Sequence, residues 1–195
     1  MDLAALREHW GRSVFTVLDF ETTGLDPRED RICEIGAVRL TPTGAESASL
    51  DLLVNPGRPI HPEASRVSGI TDEMVRDAPA VESALPDLLA FLGDSVIVAH
   101  NASFDLGFLA AAARRAGLVA PANPVADTRD LAREAFPGLP SYALQRLAGS
   151  FGLAPGNAHR ACDDARTCAR LLVLCAQAAS GIPAGDAESE SPGTP

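Results

Sequence analysis

Two carboxylates, Asp19 and Glu21, close the apolar run of SVFTVLDFETTGLD. Side chains alternate between the faces of a strand, so residues two apart share a face. Like charges that close repel and resist desolvation unless something compensates them. A third acid, Asp105 in VIVAHNASFDLGFL, follows a short apolar strand. It falls in the first turn of a helix with Ser103 as the expected N-cap, where the helix dipole favours an anion. In NAHRACDDARTCARLL, His159 precedes Asp164 by five residues across the start of the last helix. Asp163 and Asp164 point about 100° apart on that helix, so one faces inward and the other faces water. Asp164 borders the apolar stripe of Ala161, Cys168, Leu171, Leu172 and Cys175.

Each signal alone has an ordinary explanation: an acid exposed at a strand end, compensation of a helix dipole, a surface or capping histidine. Together they place four acids and a histidine at the ends of elements that adjoin one sheet. Hard divalent cations such as Mg²⁺ or Mn²⁺ take oxygen ligands and would neutralise such a cluster. A pair of these ions about 3.5–4 Å apart activates water and stabilises the leaving oxygen in phosphodiester cleavage. Thr22, Thr23 and Gly24 follow the first pair of acids and offer hydroxyls, backbone N–H groups and a flexible turn to a phosphate or sugar.

The elements that must position these residues follow from turn signals and periodicity. Residues 1–12 read as a leading helix, and residues 13–20, 31–41 and 48–55 as three strands. IHPEASRVSGITDEMV reads as a loop with Pro59 and Pro62, then a short helix capped near Thr71. VESALPDLLAFLGD is helical, with Pro86 in a first turn or at a kink. SVIVAH is a strand, SFDLGFLAAAARRAGL an amphipathic helix closed by Gly117, and PVADTRD a fifth strand. Helices are expected from about Asp130 to Phe136, Ser141 to Phe151 and His159 to Ala179. Around QRLAGSF, which could suggest a partner-binding motif, Leu144, Leu147 and Phe151 instead form a buried i, i+3, i+7 face. The order implies an α/β fold, a mixed five-stranded sheet flanked by helices. Residues 13–180 make the domain, and the Gly-, Pro-, Ser- and acid-rich residues 181–195 read as a disordered tail.

Composition narrows the classes. With 195 residues and 46% hydrophobic content the chain can bury one sizeable core. No apolar run long enough to span a membrane is present and the N-terminus lacks an apolar signal segment, so a cytoplasmic protein with no membrane partner is expected. Cys33, Cys162, Cys168 and Cys175 have neither zinc nor disulfide spacing and read as small buried residues in a reducing compartment. The formal charge of −10, with arginine as the sole cation besides histidine, argues against a broad basic stripe on duplex DNA. It leaves room for a nucleic-acid end held through metal ions.

The triple DFETTG, HNASFD and HRACDD resembles the three motifs of the DEDDh superfamily of 3′–5′ exonucleases. That family has an RNase H-like fold and includes the proofreading epsilon subunit of bacterial DNA polymerase III. VSGITDEMV is similar to the family's segment between the first two motifs, and the resemblance runs from about Val14 to Leu172. It implies that Asp19, Glu21, Asp105 and Asp164 bind two Mg²⁺ (or Mn²⁺), and that His159 is the general base. The family's spacing selects Asp164 over Asp163. An imidazole titrating near 6.5 suits the base's role. The resemblance further implies that the backbone around Thr22, Thr23 and Gly24, the side chain of Leu25 and an apolar wall from Phe104 line the pocket for the 3′-terminal nucleotide. Many proofreading subunits carry VHGI where this chain has Ser68 in VSGI, which removes a histidine contact. The implied substrate is a single-stranded or frayed 3′ end, DNA before RNA, in proofreading or repair, with transient polymerase association. The alternatives are a short-RNA exoribonuclease and a non-catalytic nucleic-acid scaffold; the latter would be expected to have lost an acid or the histidine. A cysteine hydrolase using His159 and Cys162 lacks an oxyanion donor set and an orienting acid.

Overall fold

The computed structural model describes residues 1–153 and 158–180. The expected tail, 181–195, lies outside the described residues. Three strands open the fold as an antiparallel meander: β1 (Phe15–Thr22), β2 (Ile32–Leu40) and β3 (Glu46–Leu53). Two shorter strands, β4 (Val96–Ala99) and β5 (Val125–Asp127), add in parallel on the other side of β1. The sheet order is β3-β2-β1-β4-β5, the mixed five-stranded sheet that the sequence implies.

Alternation along the central strands feeds two separate cores. Phe15 and Val17 of β1, with Val38 and Leu40 of β2, pack beneath the long last helix, α8 (Ala161–Ser180). Leu6 of the leading helix α1 (Leu3–His9) joins the same cluster. Leu18 and Phe20 of β1 and Ile35 and Ala37 of β2 face the other way. They pack against α4 (Val81–Leu92) and α5 (Ala102–Arg115). Both helix layers bury apolar stripes against the sheet, the main source of their stability. The stripe on α8 contains all five apolar residues expected there.

Three local expectations change. Pro62–Ser68 is a helix, α2, rather than a loop. Pro62 occupies its first turn, where a missing N–H costs nothing, and Gly69 ends it with a left-handed φ of 73°. Ser103 is not the N-cap of α5. Asn101 holds that place with φ 69°, and the Asp127 carboxylate accepts from the amides of Asn101 and Ala102. A side chain from the neighbouring strand end thus does the work of a local cap. The sixth helix, α6, starts at Thr128 rather than near Asp130, because the same Asp127 also accepts from the amide of Arg129. Thr71 precedes the short α3 (Asp72–Val75) as expected, and α7 (Leu144–Ser150) buries Leu147 with Leu144 and Phe151 half-buried beside it. The four cysteines are free and buried. Among the described residues no helix is long and apolar enough to cross a membrane.

Candidate active site

The row of β1 that faces α8 reads Phe15, Val17, Asp19, Glu21; its antiparallel partners on β2 are Leu40, Val38, Gly36 and Glu34. Apolar residues therefore give way to acids where the sheet meets the start of α8. Gly36 makes that approach possible, since a Cβ there would run into the backbone of Ala161 and Cys162. A register irregularity follows Glu21 and re-aims the strand as it leaves the sheet.

Asp105, buried in the first turn of α5, points back at β1: its Oδ1 accepts from the amide of Phe20, between Asp19 and Glu21, at 3.1 Å. Asp164, buried in the first turn of α8, accepts from Gln145 Nε2 at 2.6 Å and from the backbone amide of His159 at 3.0 Å. His159 lies just before the helix rather than within it, exposed and with a left-handed φ of 65°. Ligand atoms of Glu21, His159 and Asp164 lie within 4.8 Å of one another. The structure thus brings together residues from three distant segments. Asp163 is half-buried and paired with Arg166 at 3.7 Å.

Burial and mutual repulsion dominate the electrostatics. Desolvation, followed by the like charges of Asp105 and Glu21, holds the Asp19 carboxyl well above its ordinary range. Burial and the charge of Asp164 push Glu21 up to about 8. Burial lifts Asp105 to about 7 against the opposing hydrogen bond from Phe20. Asp164 is raised by burial despite the bonds from His159 and Gln145. These oxygen donors are short of positive charge, which is the condition a hard divalent cation relieves.

Beside the acids lies a pocket of ≈ 610 Å³. Glu21, Thr22, Gly24, Leu25 and Phe104 line it, and His61 stands on the α2 side. Leu25 is 83% exposed, an apolar lip with no core role, whereas Phe104 also packs on Phe108 at 5.0 Å between ring centroids. Thr23 does not line the pocket. It is fully buried, its hydroxyl donates to Asp30, and its amide donates to Arg31 O, so it fixes the turn from below. Ser68 does not reach the pocket either: its hydroxyl donates to Ala64 O and accepts from the Ile70 amide.

Sequence reasoning missed Glu34, Asp127 and Gln145. Glu34 is fully buried, yet it sits in the apolar run RICEIGAVRL, where a lone acid was the available signal. Asp127 precedes a threonine at a strand end, a local capping pattern for α6 that gives no sign of its second target, the start of α5. Gln145 carried no local signal.

A mixed sheet with a carboxylate cluster and a histidine at one end of its central strand is the arrangement of an RNase H-like nuclease domain. The chain belongs to the RNase T exonuclease family, which matches residues 16–172. It is 43% identical over 170 residues to the DNA polymerase III subunit epsilon of Treponema pallidum, covering 86% of this chain and 77% of that protein. It is 42% identical over 164 residues to the PolC-type DNA polymerase III of Thermotoga maritima, covering 84% of this chain and 12% of that much longer protein. Among solved structures it resembles exonuclease X in complex with 5′ overhanging duplex DNA. There the TM-score is 0.68 and the identity 32%, with 86% of this chain and 93% of the other covered.

Proposed function

We propose that the chain is a metal-dependent 3′–5′ exonuclease that releases nucleoside 5′-monophosphates from free 3′ ends, DNA in preference to RNA. The observation that carries this reading is the convergence of Asp19, Glu21, Asp105, Asp164 and His159 beside an open pocket. The four acids would hold two Mg²⁺ or Mn²⁺ ions, which when bound would supply charge neutralisation, a more acidic water and stabilisation of charge on the leaving oxygen.

The side chains divide the remaining tasks. His159, exposed and close to Glu21 and Asp164, takes a proton from the attacking water onto its imidazole. The water oxygen joins the phosphorus of the last phosphodiester, and the bond to the 3′-oxygen of the preceding nucleotide breaks. That oxygen takes a proton from solvent, leaving a new 3′-hydroxyl and a free 5′-monophosphate. Gly24, Leu25 and Phe104 hold the terminal nucleotide, with the base against the two apolar side chains. A negative chain suits this task, because a few nucleotides entering a metal-lined pocket need no long basic groove.

The similarity to an epsilon subunit and to exonuclease X supports DNA as the polymer and proofreading or repair as the setting, with a polymerase as transient partner. The test is digestion of a 5′-labelled single-stranded DNA, a mismatched primer end and a short RNA under one Mg²⁺ condition. A ladder that shortens stepwise from the 3′ end, fastest on DNA, is expected. Internal cuts, or faster loss of the RNA, would contradict the assignment.

A further inference from the structure

An exposed histidine on a left-handed residue outside any helix needs something to hold it. His159 has its amide on Asp164, and the next two residues converge on one group. Arg160 Nε donates to Glu34 Oε1 at 2.9 Å, its NH2 group donates to the same oxygen, and the amide of Ala161 donates to Oε2 at 2.9 Å. Glu34 is 0% exposed. A buried carboxylate is tolerated when it is paired and hydrogen-bonded, and breaking such a pair is costly. Here the guanidinium and a helix-start amide satisfy both oxygens.

The placement matters more than the pairing. Glu34 is the cross-strand partner of Glu21, and Gly36, two residues on, carries the start of α8 directly on β2. One strand pair therefore fixes both an acid of the proposed metal site and the anchor of the segment that bears the histidine. We propose that Glu34 and Arg160 form a clamp that positions His159 for proton transfer, with neither residue touching the substrate. This rests on His159 acting as the base in the function proposed above.

The clamp is tested on the full chain with E34Q, R160K, H159A and the E34Q/H159A double variant. With a 3′-labelled oligonucleotide and Mg²⁺, E34Q is expected to lower kcat about 10–100-fold, the range for lost supporting contacts, with KM within about 2-fold. In the H159A background E34Q is expected to add nothing beyond about 2-fold, since the residue it positions is gone. R160K, which keeps the charge and loses the fork, should fall between wild type and E34Q. A folded E34Q with full kcat, or one that multiplies the loss in H159A, would overturn the clamp.

A second readout does not need turnover. In protein labelled at its four histidines, the His159 imidazole resonance, assigned with H159A, should shift or broaden in E34Q and R160K. An unmoved His159 resonance in either folded variant would overturn the clamp. A wild-type enzyme that leaves every 3′ end intact would instead defeat the exonuclease reading, while the imidazole resonance still decides the clamp.

Discussion

Asp19 and Glu21 illustrate how a residue's chemistry is set by what stands next to it. Each shares a face of β1 with the other and looks across at Asp105 and Asp164, so in the metal-free protein their charges are mutually unfavourable. Replacing Asp19 with alanine should abolish turnover while leaving the melting temperature unchanged or higher, because repulsion is relieved. A variant that unfolds would make the acid structural instead. His159→Ala should reduce turnover about 10²–10⁴-fold with metal affinity, followed by calorimetry, little altered. Collapse of that affinity would make His159 a ligand. The pH dependence follows from the same shifts. Glu21 and Asp105 bind protons more tightly folded than unfolded, up to about 8 and about 7. Their contribution is therefore fully present below the ordinary carboxylate range and is lost as pH rises through those values. Metal-free protein should melt several degrees lower at pH 9 than at pH 6, with a smaller difference in Glu21→Gln and under saturating Mg²⁺. An identical pH slope in Glu21→Gln would show that Glu21 titrates normally.

At the scale of elements, strand register and helix placement do the work. Gly36 lies opposite Asp19 and beneath the first residues of α8. Gly36→Ala would force the helix off the sheet, costing about 1–3 kcal/mol as overpacked sites do, and should reduce activity beyond what the fall in melting temperature explains. Activity tracking stability alone would contradict this. The strands, the long helices and the positions of Asp19, Glu21, Asp105 and Asp164 at element ends were readable because each depends on local pattern: period two in β1, period 3.6 in α8, an acid in the first turn of a helix. The roles proposed for them and for His159 came from the family resemblance. What was not readable depends on contacts across the chain. Asp127 caps α5 from β5, Glu34 anchors the start of α8 from β2, and Gln145 reaches Asp164 from α7. No window of sequence contains both partners of any of these. Thr23 looked like part of a binding turn because its hydroxyl neighbours the acids; only the fold reveals that it serves Asp30 beneath the turn.

Taken whole, the molecule is an acidic α/β domain with its acid cluster at one end of the sheet and a small open pocket beside it. An exonuclease acting as proposed contacts a strand end rather than a length of duplex. Binding should depend weakly on salt: contact with about three phosphates gives a log–log slope near −2, at about −0.7 per phosphate for single strands. Fluorescence anisotropy across a salt series, with Ca²⁺ in place of Mg²⁺, measures it; a slope several times steeper would require an extended groove. The most direct measurement of the central claim is the release of labelled mononucleotide from the 3′ end of single-stranded DNA, with and without Mg²⁺, for wild type and Asp164→Asn. The expected result is Mg²⁺-dependent release by the wild type and almost none by the variant. Equal release by both, or release indifferent to a chelator, would contradict a metal centre built from these acids.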